Sequence, residues 1–356
     1  MSVEVDASLA QASNTLTYSA MLVYTGALVG YTLDLASRGS ARSAAPVAAP
    51  VAAAVEARTP VAVAAGEQTV VEQAAPATGG TGETGQSGHA GQPGETGESG
   101  ERARSRAAGI AVALTWLAFA LHLGAVVARG LSAHRVPWGN MYEFSTSGAV
   151  VVTGVFLAVL LRRDVRYLGT FVVGPVLLTL GLAVTVLYTQ SAQLVPALQS
   201  FWLVIHVSVA FVASALLTLG FSTTVLQLVQ ERRELARAAG RPPRGGRFMD
   251  ALPGSVELER SAYRLHVVAF PLWTFTVIAG AIWAEAAWGR YWNWDPKEVW
   301  SFVIWVVYAG YLHARSTRGW DGRRSAYFAL AGYACVLFNF LVVNIFFVGF
   351  HSYSGV

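Results

Sequence analysis

Apolar runs of about 20 residues, the length a helix needs to cross a bilayer core, recur along the chain between short polar segments. They fall at 16–35, 109–128, 145–161, 167–188, 201–229, 265–287, 296–315 and 327–348. The seventh is the least obvious, because the apolar part at 299–312 would be only ~21 Å long at the α-helical rise. Helix-start chemistry lengthens it. Asp295 suits a cap, Pro296 the first helical position, and Glu298 the third, from which it reaches back to the cap. A helix over 296–315 is then ~30 Å long, enough to span. The expected fold is an all-α integral membrane protein of eight transmembrane helices.

The pattern breaks between 37 and 108, first into Ala, Val and Pro, then into Gly, Glu, Thr, Ser and Gln. Such composition predicts a disordered, cytoplasmic, low-complexity linker. It separates a first transmembrane helix within 1–36 from a seven-helix domain over 109–356. Gly82, Gly85, Gly88, Gly91, Gly94, Gly97 and Gly100 keep a three-residue period, but Pro93 is the one proline among them. That reads as a flexible tether rather than a collagen-like self-association element. The apolar stretch 44–65 is interrupted by Pro46, Pro50, Glu56, Arg58 and Pro60, which argues against another span.

Composition agrees with the pattern: 54% of the 356 residues are hydrophobic and 13% charged, outside the usual range for soluble proteins. The net charge of +4 does not call for nucleic acid. Arg162, Arg163 and Arg166, the arginines of 232–247 and those of 315–324 occupy three joints that all lie on one side if the eight spans hold, and the positive-inside rule makes that side the cytoplasm. Arg102, Arg104 and Arg106 join them there. Both termini and the loops containing 137–143, 191–200 and 288–295 are then outside. The first run follows Glu4 and Asp6 rather than basic residues, so it reads as a retained helix and not a removed signal. Cys335 is the only cysteine, which excludes an intramolecular disulfide and a CxxC redox pair or haem-attachment motif.

The outer loop at 288–300 reads WGRYWNWDPKEVW, with Trp288, Trp292, Trp294 and Trp300 among thirteen residues. Indole rings favour a membrane interface, so an aromatic belt followed by a capped helix accounts for part of it. Flat aromatic faces and indole donors, with Arg290 and Lys297 nearby, also suit a planar apolar ring system bearing carboxylates, as haem does.

The run resembles the WWD domain of haem-handling proteins of cytochrome c maturation, whose core is WGxxWxWDxKE. Trp288, Gly289, Trp292, Trp294, Asp295, Lys297 and Glu298 all match, and the similarity extends through Trp300, Trp305, Tyr308, His313, Arg315 and Trp320 into the C-terminal GFHSYSG. The Lys-Glu pair, eight spans and terminal His-Ser-Tyr resemble the CcsA branch, also called ResC, of the System II cytochrome c synthase. The CcmF branch is much longer and the CcmC branch shorter. RVPWGNMYEF at 135–144 is similar to that family's Pro-x-x-Asn-x-Tyr-Glu segment.

Neutral imidazole is a standard ligand of haem iron, and the chain has seven histidines. His206 lies about 8 Å inside the fifth span by helical rise, and His351 follows the eighth span on the same side. The resemblance implies that these two are external haem ligands. It also implies that His313, toward the inner end of the seventh span, is one ligand of a haem held within the membrane, the other coming from a partner subunit. His122, His266, His134 and His89 receive no ligand role. The family's activity implies haem b as bound ligand and substrate, apocytochrome c and a CcsB/ResB-type membrane subunit as partners, membrane lipid around the chain, and a place in the bacterial plasma membrane. The expected function is a holocytochrome c synthase (haem lyase) component that moves haem outward and positions it for thioether attachment at CxxCH. The alternative is a haem exporter or chaperone that leaves ligation to its partner.

Overall fold

The computed structural model describes residues 5–44, 95–192, 198–244, 246–317 and 320–352. Those residues form helices and connecting loops, with no strand among them. The helices are α1 (Ala7–Ala44), α2 (Glu95–Ser132), α3 (Met141–Leu160), α4 (Gly169–Thr185), α5 (Phe201–Ala238), α6 (Ser255–Trp288), α7 (Pro296–Ser316) and α8 (Arg323–Leu337). After α8, a π-helical turn (Phe338–Val343) leads into the short α9 (Asn344–Phe346).

Among the described residues, seven segments are long and apolar enough to cross a membrane: Ala7–Ser37, Arg106–Ser132, Met141–Leu160, Arg166–Thr185, Phe201–Ala238, Ser255–Trp288 and Arg323–Phe346. The expected seventh span, α7, has the length, 21 residues, but not the hydropathy, because Lys297, Glu298, His313 and Arg315 dilute it. Outward-facing side chains on the other helices are strongly apolar: Leu22, Leu178 and Phe201 are each exposed, as expected where lipid rather than water surrounds a bundle.

Several ends differ from the expected spans. Helix α6 begins ten residues before 265, at Ser255, which places His266 well inside the helix rather than at its start. Helix α1 runs on to Ala44 and α2 starts at Glu95, so both enter the expected linker, carrying Gly97 and Gly100 into α2. Alanine-rich sequence at 101–108 favours that extension. The remaining linker, 45–94, with Gly82 through Gly94 of the periodic run and His89, lies outside the described residues.

Helices α1 and α2 pair along their length, as do α5 and α6, while α3 bridges α4 and α5 and α8 packs on α7 and α5. Tyr24, Tyr31, Phe156, Leu168, Leu180 and Leu219 fill the core between the first five helices. Leu217, Ala269, Trp273, Ile304, Tyr308 and Ala329 fill a second between α5, α6, α7 and α8. A third, smaller cluster of Leu203, Val207, Phe211 and Trp283, with Trp138 and Trp288 against it, closes the end of the bundle where α6 stops.

Caps register several helix ends. Asp6 Oδ1 accepts from the Ser8 and Leu9 amides, and the Asp6 amide donates to the Ser132 carbonyl at the end of α2. Asn140 Oδ1 accepts from the Glu143 amide at the start of α3. Glu143 is fully buried and accepts from Arg129 Nε at 3.0 Å, from Arg135 Nη1 at 2.6 Å and Nη2 at 3.0 Å, and from the Gly139 amide at 2.9 Å. The same arginines donate to the Thr189 and Ala192 carbonyls. The loops after α2 and α4 are thereby fastened together around one carboxylate.

Candidate functional site

Gly289 is where the tryptophan-rich run changes character. It adopts φ 70°, in the left-handed region that glycine enters at least cost, and terminates α6. Trp288 is therefore the last residue of α6 rather than part of a loop. It packs on Trp283, Phe350 and His351, with centroids 4.7, 5.2 and 4.9 Å away. Five residues later Trp294, at φ 57°, turns the chain outward and stands 70% exposed beside exposed Tyr291.

Asp295 then starts α7 as its sequence predicts. Its Oδ1 accepts from the Lys297 amide, Pro296 holds the first position, and Glu298 Oε2 accepts from the Asp295 and Asn293 amides. The aspartate does more than cap. Oδ1 also accepts from His351 Nδ1 at 2.9 Å and Oδ2 from the Phe350 amide at 2.6 Å, which draws the C-terminal tail onto the loop. Burial pushes the Asp295 carboxyl up, but the hydrogen bond and charge of His351, with the Phe350 and Lys297 amides, outweigh burial and hold it below its ordinary value of 3.8.

His206 reaches the same place from α5. Its Nδ1 donates to the Thr276 carbonyl of α6 at 2.8 Å, and its ring lies nearly parallel to Trp283, 6.0 Å between centroids and 12° between planes. The ring occupies the space over Gly280, where a Cβ would come within 2.7 Å of Cε1. Trp283 meets His351 on its other contact, at 5.4 Å.

A carbonyl oxygen and a carboxylate can only accept, so in both histidines Nδ1 carries a hydrogen, and Nε2 is the nitrogen left to face a ligand. Both side chains line one cavity of about 280 Å³. Its wall includes Phe144, Trp273, Tyr291, Trp292, Lys297 and Glu298, and it runs inward past Ser301 and Phe340 to the hydrogen-bonded pair Thr218 and Tyr333. Thr218 lies twelve residues along α5 from His206, a depth of ~18 Å by helical rise.

Of the residues singled out from sequence, the structure brings His206, His351, Trp292, Lys297 and Glu298 to that cavity. Trp288 and Asp295 stand behind His351 and hold it. Gly289 and Trp294 shape the rim. Trp300 packs on Phe338 of the π-helical turn, 4.1 Å between centroids, and does not line the cavity. His313 is exposed in the last turn of α7, apart from the other site residues and close in sequence to Arg315, which pairs with Glu259 at 2.9 Å and lies over Tyr263. His122 is buried against Tyr24, and His266 between Tyr308 and Tyr311. Sequence reasoning missed Trp283, which packs against both imidazoles, and Gly280, which leaves room for the His206 ring. Each sits inside an apolar span, where tryptophan and glycine are unremarked.

The model of the cytochrome C assembly protein family matches residues 138–351. That segment begins at Trp138, encloses His206, the tryptophan-rich run and His313, and stops at His351. Over 245 residues the chain is 38% identical to the cytochrome c biogenesis protein CcsA of Prochlorococcus marinus, covering 64% of this chain and 77% of that one. It is 35% identical over 288 residues to the CcsA of Synechococcus elongatus, covering 69% and 86%, and 34% identical over 276 residues to the CcsA of a Synechocystis, covering 64% and 82%.

The chain belongs to the CcsA family.

Membership accounts for the co-occurrence of features that sequence alone left separate. Phe144, near the start of the matched segment, and His351, at its end, line the same cavity.

Proposed function

We propose that this chain is the haem-handling subunit of a cytochrome c synthase in the bacterial plasma membrane. It receives haem b, moves it to the outer face and positions it for attachment to apocytochrome c. The observation that supports this most is the pair His206 and His351: two imidazoles on one cavity, each with Nδ1 engaged and Nε2 available to iron, separated by the indole of Trp283. Trp292 and the apolar wall suit the face of the macrocycle.

In this reading α7 also spans, which brings the count to eight, with Lys297 and Glu298 facing the cavity rather than lipid. Both termini and the run 288–300 are extracytoplasmic, and the bundle sits in lipid without a nucleic-acid partner. Attachment adds each thiol of a CxxCH segment across one haem vinyl group. Sulfur bonds one vinyl carbon and hydrogen the other, with no net redox change. The chain contributes geometry rather than a nucleophile. Holding vinyls and thiols in register replaces a bimolecular encounter with an effectively intramolecular step. The exposure of His313 on the bundle surface fits a second, inner haem completed by a histidine from a CcsB/ResB-type subunit.

Coexpression tests the division of labour. The chain with a CcsB/ResB-type partner and an apocytochrome is expected to yield haem that survives denaturation on the cytochrome, while the chain alone yields bound haem only. Covalent cytochrome without this chain, or no effect of losing it, would overturn the proposal.

A further inference from the structure

Two cations stand near the outer site, and the fold treats them differently. Arg290 is exposed, donates to Asn293 Oδ1 at 2.7 Å and does not line the cavity. Lys297 does line it, and its ammonium is turned inward. Nζ donates to the Asn339 carbonyl at 3.0 Å and to Asn344 Oδ1 at 2.7 Å. Both acceptors are neutral, and Lys297 takes part in no ion pair among the described residues. Asp295, its closest acid in sequence, spends its oxygens on His351, Phe350 and the Lys297 amide. Glu298 also lines the cavity, but it lies about 100° around the helix from Lys297, and its Oε2 is fixed by two loop amides.

An ammonium has three donors, and two are used here. An ammonium held inside the bundle by neutral acceptors alone is costly, and the cost is relieved when an anion arrives. The ammonium is held against the π-helical turn that follows α8, away from the exposed Tyr291 and Trp294. Asn339 lies in the π-helical turn, twelve residues before His351, and its side chain donates to Ser301, one turn into α7. π-Turns inside α-helices mark functional sites with unusual frequency; this one turns a backbone carbonyl toward Lys297.

We infer that Lys297 is a carboxylate subsite that receives a haem propionate, so that the ring lies with its propionate edge inward toward α7 and the π-helical turn and its vinyl edge outward at the rim formed by Tyr291 and Trp294. The inference rests on the proposal that haem is the cargo. It adds the direction in which the ring faces. The outer rim is where thiols arrive, so the edge that must react is the one presented.

Titration of the full-length protein in detergent with haem and with haem dimethyl ester, read in the Soret band, tests it. Wild type is expected to bind the diacid more tightly than the ester by roughly thirtyfold or more, the scale of a buried charge pair losing one member. Lys297→Gln is expected to erase that preference while keeping a Soret band that depends on His206 and His351, and Lys297→Arg to retain most of it. Equal affinity of wild type for both compounds, or an undiminished preference in Lys297→Gln, overturns the subsite while leaving the histidine site intact. No histidine-dependent band with either compound overturns the haem reading itself, and the subsite with it.

Discussion

Asp295 joins two tasks that are separable by substitution. Asparagine caps a helix about as well as aspartate, so Asp295→Asn should preserve the start of α7 while removing the negative charge behind His351. Outer partners of a metal-bound histidine typically contribute 10–100-fold in affinity. Haem affinity is expected to fall by about that range, and the midpoint potential of the bound haem to rise, because the imidazole loses an anionic partner. Unchanged potential in a folded variant would make Asp295 a cap only. Gly280 is the corresponding test for His206. A methyl group at this position meets the imidazole, and overpacking of this kind costs about 1–3 kcal/mol. Gly280→Ala is expected to weaken haem binding about tenfold, as seen by Soret titration. The run 288–300 stood out in the sequence because indoles are rare and conspicuous. Gly280 and Trp283 were not, since a glycine under a ring and a tryptophan in a span have no local signature.

Among the elements, the clamp around Glu143 is the most exposed to disruption. Removing one member of a buried, multiply hydrogen-bonded charge cluster costs about 3–5 kcal/mol, because the remaining charges stay buried without a partner. Glu143→Ala is expected to lower the thermal midpoint of the purified protein and to loosen the loops after α2 and α4 in hydrogen exchange. An unchanged midpoint would show that the cluster is not structural. On the opposite side, the turn Arg247–Ala251 is tied to α5 by Asp250, which accepts from Arg233 at 2.7 Å and from Arg237. Burial pushes the Asp250 carboxyl up, but the two arginines outweigh it and hold it below 3.8. A depressed carboxylate stabilises fully above its unfolded value and loses that contribution as pH falls through the folded one. Release of this turn, read by proteolysis of inside-out vesicles, is therefore expected only below pH 3.8, and Asp250→Asn should release it at neutral pH. Helix existence was legible from hydropathy. The ends of α1, α2 and α6 were not, because their extensions are polar helix that continues beyond the apolar run.

For the whole molecule, the cavity between α3, α4, α5, α6, α7 and α8 has no counterpart in a linear reading. His206, the 288–300 run and His351 are separated by 82 and 51 residues of chain (288 minus 206, and 351 minus 300), and only packing brings them to one wall. The family resemblance singled out His206 and His351; the fold places both on one cavity and supplies the partners of their Nδ1 atoms and of Lys297. His313 stays apart from this wall, so the account requires two haem positions rather than one. The proposal that haem is held between His206 and His351 is tested most directly by absorption spectra of the purified full-length protein, wild type against the double variant His206→Ala with His351→Ala. The account predicts a Soret band and low-spin visible bands in wild type, with the outer-site contribution lost in the double variant and the His313-dependent contribution retained. No Soret band in wild type, or a spectrum unaltered by both substitutions, would contradict it.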